Sequence, residues 1–290
     1  MVDEVIQLLR VDMTNGTVTS SPLPDEWRLL GGRALTSRIL LEECDARCDP
    51  LGPENVFVLA GGVLTGTAAP TSGRLSVGAK SPLTGGIKEA NAGGNPAQHL
   101  AKLGYRAIVV SGQPEDPAAR FGLEVDGEGG RLVAADDLKG RWTYDTCEQL
   151  TKRYSKQASF ICCGPAGEHR LGGASVACTD QDNRYPARHA SRGGMGAVMG
   201  AKVLKAITVL GSGSVPVADP DRLLWLFKEV GREVGSRRGR SGRIERINQM
   251  LQADGGGRAR PFACTASCPT PCHIIYSDVP GCHFDRKWSG

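Results

Sequence analysis

Aromatic residues make up only 5 % of this 290-residue chain, which argues against a dense aromatic core. No apolar run reaches the roughly 18 residues that a bilayer span requires. The amino terminus, MVDEVIQLLRVDMTNG, lacks a basic segment ahead of an apolar one, so it does not read as a secretory signal and a cytoplasmic protein is expected. Charge is nearly balanced, with 35 basic against 31 acidic residues and a formal net charge of +4. That is too little for a nucleic-acid-binding face. The one basic run, Arg237-Arg238-Gly239-Arg240-Ser241-Gly242-Arg243, has no interleaved aromatic and reads as a solvated or partner-facing helix end. Five scattered histidines support no Ser/His/Asp arrangement.

Glycine and cysteine, by contrast, are plentiful. The 39 glycines are nearly twice what average usage of roughly 7 % would supply. Ten cysteines in a cytosolic-looking chain point away from a disulfide framework and toward metal or redox duty.

Glycine concentrates between Gly61 and Gly94, where nine glycines, Arg74, Lys80 and Lys88 accompany a single carboxylate, Glu89. Such a backbone is open and locally positive. Tight turns between strands explain the glycines; so does an anion site, in which successive N–H groups form a concavity that a phosphate can enter.

Periodicity predicts a hairpin over 4–21 around Asn15-Gly16, with a type I′ turn. A helix follows over 25–43, interrupted at Gly31-Gly32. Strands are predicted at 55–60, 74–79, 107–111, 159–163, 173–178 and 206–210. Asn95 is the expected N-cap of a helix at 96–103. A second hairpin spans 121–134, and an amphipathic helix 144–154. Hairpins and an excess of strands make residues 1–210 an α+β domain rather than a doubly wound sheet. Residues 211–220 form a linker, and 221–290 open a mainly helical domain. No internal repeat is visible.

Three features carry chemistry. Gly194-Met195-Gly196-Ala197-Val198-Met199-Gly200 is one residue longer than a dinucleotide fingerprint and follows a polar loop, the wrong context for that turn. The helix start at Arg192-Gly193-Gly194 still offers N–H groups to an anion, with Arg188 and Arg192 adding guanidinium contacts. Cys264, Cys268 and Cys272 set three thiols within nine residues, CTASCPTPC. Spacing leaves an iron–sulfur cluster and a zinc site open, the latter with Cys282, His273 or His283 as fourth ligand. Cys44 and Cys48 stand four apart with no other ligand nearby. Cys162 and Cys163 end a strand and should face opposite ways.

Taken together, GGVLTGTAAPTSGR from Gly61, KSPLTGG from Lys80, ANAGG from Ala90, GPAGE from Gly164 and RGGMGAVMGAKVLKAITV from Arg192 resemble the aldehyde ferredoxin oxidoreductase family of tungsten- and molybdenum-pterin enzymes. The resemblance implies that residues 1–210 form two β-sheets with flanking helices, seating a bis-pterin tungsten or molybdenum cofactor. It implies that Arg74 lies near the pterins and a 4Fe–4S cluster. Asn91 and His189 fall where backbone carbonyls bind Mg2+ between the pterin phosphates. Ala92, Gly93, Gly94, Arg188, Arg192, Gly193 and Gly194 belong to the same seat.

Cys268 and Cys272 match cluster ligands of that family. Cys264 stands one residue further from Cys268 than the common spacing. The family's fourth ligand and its acid/base residues lie further downstream, so this chain is expected to be a fragment, an early-ended product or a subunit completed by another chain. The implied activity is oxidation of aldehydes to carboxylates, with electrons passed to ferredoxin or another iron–sulfur carrier. A homo-oligomer or a second chain is the expected partner. Alternatives are an aromatic-ring thioester reductase subunit and a non-catalytic cofactor-holding module.

Overall fold

A computed structural model describes residues 6–155, 157–181, 185–211, 213–236, 241–253, 255–265, 268–269 and 273–278. The described chain divides into two compact units, one of residues 1–67 and 72–218, the other of residues 68–71 and 219–290.

The first unit opens on the expected hairpin, β1 (Gln7–Asp12) with β2 (Thr17–Pro22). Its turn is not type I′. Four residues separate the strands, and only Gly16 has positive φ, at 65°. The Asp12 carboxylate accepts from the amides of Thr14 at 2.9 Å and Asn15 at 3.2 Å, so an aspartate side chain closes this turn. After a 3-10 turn at Asp25–Trp27 come α1 (Gly32–Glu43), β3 (Phe57–Gly61), β4 (Leu75–Lys80), β5 (Ile87–Ala92), α2 (Pro96–Lys102) and β6 (Tyr105–Ser111). The strands form one six-stranded sheet in the order β2-β1-β6-β3-β4-β5, in which only β1 and β6 run parallel.

The rest of the unit contains β7 (Phe121–Val125), β8 (Gly130–Ala134), α3 (Thr143–Arg153), β9 (Ser159–Cys162), α4 (Pro165–Glu168), β10 (Val176–Cys178), β11 (Arg188–Ala190), α5 (Met195–Ala201) and β12 (Leu204–Val209). Its sheet order is β11-β10-β9-β12-β7-β8, and only β7 and β12 run parallel. Read from its other edge, this is the first sheet again. A hairpin leads, a helix connects it to the third strand, and the last strand returns through a second helix to lie parallel to the first. The unit therefore uses one topology twice, a duplication of architecture that the sequence does not display as a repeat. Topology survives on a pattern of apolar alternation, which very different residues satisfy.

That alternation sorts side chains between layers. Leu9, Leu59 and Val77 from one sheet meet Leu123, Ile161 and Ile207 from the other in a central core. Leu8, Val58 and Val109 face outward against Leu35, Ile39 and Leu40 of α1. Phe160 and Ala206 face outward against Cys147 and Leu150 of α3. Cys162 points to α3 and Cys163 to the central core, as adjacent strand residues must. The arrangement is helix, sheet, sheet, helix, with α2 and α5 contributing Leu100, Val198 and Met199 to the centre.

Among the described residues two lysines are fully buried. Lys205 pairs with Glu168 and donates to the Arg141 carbonyl at 2.8 Å, while Lys202 donates to the carbonyls of Pro53 at 3.0 Å and Gly52 at 3.3 Å. Burial lowers the Lys202 ammonium to about 8, opposed by the neighbouring Cys48, Cys44 and Glu54.

The second unit holds α6 (Pro220–Ser236), α7 (Ser241–Ala253) and an antiparallel hairpin, β13 (Arg258–Phe262) with β14 (His273–Ser277). The hairpin is an addition to the predicted helical pattern. Asn248 of α7 ties to it, its amide donating to the Ala259 carbonyl at 3.1 Å and its oxygen accepting from the Ala259 amide at 2.6 Å. Among the described residues no helix is long and apolar enough to cross a membrane.

Candidate functional site

The duplication places the two glycine-rich segments in equivalent positions. One leaves β5 through Gly93 and Gly94 into α2; the other leaves β11 through Arg192, Gly193 and Gly194 into α5. These are the edge strands of the two sheets, and they lie alongside each other. Asn91 is the penultimate residue of β5, and His189 is the penultimate residue of β11.

Each segment is braced by the opposite half. Thr179, just after β10, accepts at its carbonyl from the Asn95 amide at 3.1 Å, and its hydroxyl donates to Asn95 Oδ1 at 2.8 Å. Ser81, just after β4, donates from its hydroxyl to the Gly193 carbonyl at 2.8 Å. Asn95 does stand at the N-cap of α2, but its side chain makes no cap bond because Thr179 occupies it. Gly94 has φ 100°, and a Cβ there would fall 2.2 Å from the Thr179 oxygen. Gly193 and Gly194 have φ 72° and 73°, and a Cβ on Gly194 would fall 2.8 Å from Pro82. Left-handed backbone and close approach both demand glycine.

Side chains pair equivalently too. Arg74, immediately before β4, donates from Nε to Asn91 Oδ1 and from Nη2 to the Asn91 carbonyl at 3.3 Å. Ser175, immediately before β10, is hydrogen-bonded through Oγ to His189 Nδ1 at 2.9 Å. One half thus carries a fixed cation where the other carries a hydroxyl. Desolvation lowers the His189 imidazole below its ordinary value; a hydrogen bond at Pro186 opposes this and Arg188 reinforces it.

The surroundings suit an anion. Among the described residues, no backbone acceptor takes the amides of Gly93, Gly94, Arg192, Gly193 or Gly194. Glu89, the stretch's one carboxylate, is covered by Arg33 at 3.0 Å. Gln181, in the loop leading to β11, buries an Nε2 donor with no partner among the described residues. Arg188 is half-buried and Arg192 exposed. Since α5 has only seven residues, its backbone amides matter more than any helix dipole.

The other two glycines of GxGxxxG, Gly196 and Gly200, serve packing instead. A Cβ on Gly200 would fall 1.9 Å from the Gly167 oxygen, and one on Gly196 would fall 2.5 Å from the Ser175 oxygen. They let α5 touch α4 and the loop before β10 backbone to backbone, which agrees with rejecting a dinucleotide fingerprint.

In the second unit, Cys264 and Cys268 are half-buried in the connection from β13 to β14. Cys272, Cys282 and His283 lie outside the described residues. Among the described residues no three His, Cys, Asp or Glu side chains form a metal-holding group. Thr265, beside Cys264, buries a hydroxyl with no hydrogen-bond partner among the described residues. Such an orphan suits an added acceptor like a cluster sulfur.

Sequence reasoning missed Ser81, Ser175 and Thr179. The only available signal was the shared order of a strand-end alanine, Ala92 or Ala190, followed by paired glycines.

Known proteins resemble this chain over most of its length. Residues 8–211 match the family model described as the aldehyde ferredoxin oxidoreductase N-terminal domain. The chain is 38 % identical over 226 residues to a tungsten-containing aldehyde ferredoxin oxidoreductase of Pyrococcus furiosus, covering 77 % of this chain and 36 % of that protein. A tungsten-containing aldehyde ferredoxin oxidoreductase of Pyrococcus abyssi is 37 % identical over 253 residues, covering 86 % and 38 %. Among solved structures, the active-site complex BamBC of benzoyl coenzyme A reductase with 1,5-dienoyl-CoA aligns at TM-score 0.74 and 31 % identity, covering 80 % of this chain and 34 % of that one. The chain therefore spans little over a third of the length of the relatives it matches. From the two duplicated sheets through the glycine segments to the matched residues 8–211, the chain belongs to the aldehyde ferredoxin oxidoreductase family and carries its N-terminal domain.

Proposed function

We propose that this chain is the cofactor-seating portion of a tungsten or molybdenum bis-pterin oxidoreductase that oxidises aldehydes to carboxylates. The observation that carries it is the reciprocal pair of glycine segments, two equivalent anion-ready turns side by side on one platform. A cofactor with two like halves suits such a platform. When bound, the metal–pterin group supplies the two-electron redox chemistry. The chain's own residues seat and orient it.

In this reading the amides around Gly93, Gly94, Gly193 and Gly194 hold phosphate oxygens, with Ala92 shaping the turn and Arg188 and Arg192 adding charge. The Asn91 and His189 carbonyls are the Mg2+ ligands. A carbonyl has two lone pairs, so the Arg74 contact to Asn91 leaves one available. Cys264, Cys268 and Cys272 bind a 4Fe–4S cluster, its fourth ligand being Cys282 or a residue outside this chain. Electrons pass to ferredoxin or a similar carrier, and a second copy or partner chain completes the protein. The BamBC likeness favours a second reading, a subunit reducing aromatic-ring thioesters.

Metal analysis, pterin release and EPR on anaerobically purified protein test the first reading. Tungsten or molybdenum with pterin is expected; zinc alone, with no pterin freed on denaturation, would sink it. Aldehyde-dependent reduction of ferredoxin separates it from thioester reduction. A more local test is Arg74→Ala. Losing a charged hydrogen bond worth about 1.5–3 kcal/mol should weaken cofactor retention roughly 10- to 150-fold, with circular dichroism unchanged. Undiminished metal and pterin content would contradict the placement of Arg74.

A further inference from the structure

Outside the seat, the loop after α1 gathers a second reactive group. Cys44 caps the helix, its amide donating to the Leu40 carbonyl at 3.1 Å, and the Cys44 and Cys48 sulfurs lie 3.7 Å apart, in contact. Both are partly exposed. Two buried cations close on the same loop. Lys80 donates to the carbonyls of Ala46 at 2.6 Å and Cys48 at 2.5 Å, and Lys202 reaches from the other half to Gly52 and Pro53. Two ammoniums near a dithiol repel a metal cation. That combination separates this pair from the cluster cysteines.

From this geometry we infer that Cys44 and Cys48 form a thiol–disulfide site, taking small disulfides of the glutathione class as oxidant. Cys44 thiolate attacks one sulfur of the small disulfide and expels a thiolate, leaving a mixed disulfide on Cys44. Cys48 then gives up its proton and attacks the Cys44 sulfur, expelling the second small thiolate. Two protein thiols are oxidised and one small disulfide is reduced to two thiols. Closing the bond brings sulfurs already in contact to the usual distance of about 2.05 Å, with no long movement of chain. Burial first, then the Cys44 sulfur, pushes the Cys48 thiol up to about 11, which leaves the initial attack to Cys44.

The molecule supplies its own control. Cys147 and Cys162 have sulfurs 3.9 Å apart, but both are buried, between α3 and the second sheet. Contact is equal, access is not. They should stay reduced.

The test treats the folded, anaerobically purified protein with oxidised glutathione, then unfolds it in denaturant with an alkylating reagent and maps tryptic peptides. Because Arg47 lies between the two cysteines, their disulfide joins peptides 39–47 and 48–74, with two hydrogens and both alkyl labels lost. The expected result is that cross-link, with Cys147 and Cys162 still alkylated. In Cys48→Ser, Cys44 should instead retain one glutathione. Independent alkylation of Cys44 and Cys48 after oxidation would overturn the inference. So would a Cys48→Ser protein that gains no adduct on Cys44.

Discussion

Replacing Glu168 by alanine should lower the stability of the first unit by about 3–5 kcal/mol, the range for breaking a buried ion pair from one side. The side chains of Glu168 and Lys205 are 5 % and 0 % exposed, and the carboxylate also accepts from Arg120 Nε at 3.2 Å and the Gly140 amide at 3.0 Å. Removing it strands the Lys205 charge with, among the described residues, only the Arg141 carbonyl as hydrogen-bond partner. The exposed Lys152–Glu148 pair is the contrast: Glu148→Ala should change stability by less than about 1 kcal/mol. Urea unfolding of both variants decides, and equal small shifts would show that the network adds nothing. The pH dependence has a definite sign. Burial alone would raise the Glu168 pKa, but Lys205, the Gly140 amide and Arg120 together hold it below the usual carboxylate value. A depressed carboxylate stabilises above its unfolded pKa and stops doing so as pH falls through the folded one. The gap between wild type and Glu168→Ala should therefore narrow on acidification below the usual glutamate range.

The second large effect is expected at Gly200. Alanine is favoured over glycine within a helix by about 1 kcal/mol, so Gly200→Ala would be stabilising if nothing stood near it. Here the added Cβ meets two backbone atoms, the Gly167 oxygen at 1.9 Å and the Gly167 carbonyl carbon at 2.4 Å. Backbone cannot swing aside like a side-chain tip, and separating α5 from α4 should cost about 3 kcal/mol or more. Because α5 follows Gly193 and Gly194 directly, the seat should loosen as well. Gly231, within α6 and with nothing within 4 Å of its Cβ position, provides the opposite sign: alanine there should stabilise by about 0.5–1 kcal/mol. A thermal shift assay on both variants reads the difference, and stabilisation by Gly200→Ala would refute the packing argument.

Long apolar strands are legible from composition alone. NVFVLA, AIVVS and the run ending at Cys163 are dominated by apolar residues, and they form β3, β6 and β9. Strand β11 is not legible in that way, because Arg188-His189-Ala190 has no apolar alternation and is a strand only through its three pairs with β10. The duplication is hidden for a related reason: a topology constrains which positions are apolar, not which residues fill them. The turn after β1 departs from type I′ because Asp12, outside the Asn-Gly pair, supplies the carboxylate that holds it.

Within the site, Arg74, Asn91, His189 and the glycines can be named from motifs alone. Their pairing cannot. Ser81 meets Gly193 across 112 residues and Thr179 meets Asn95 across 84, separations at which small polar residues leave no local signal.

The sequence by itself determined the chemistry that is available: where glycine frees the backbone, where cations outnumber carboxylates, where thiols cluster, and which family's motifs recur in order. Only the tertiary structure decided that the two glycine segments are equivalent halves of one platform, that Gly196 and Gly200 serve helix contact, and that Cys44 and Cys48 touch in a loop held by two buried lysines. The physical reason is that composition and spacing act along the chain, whereas hydrogen bonds, burial and steric exclusion act between residues that folding alone brings together.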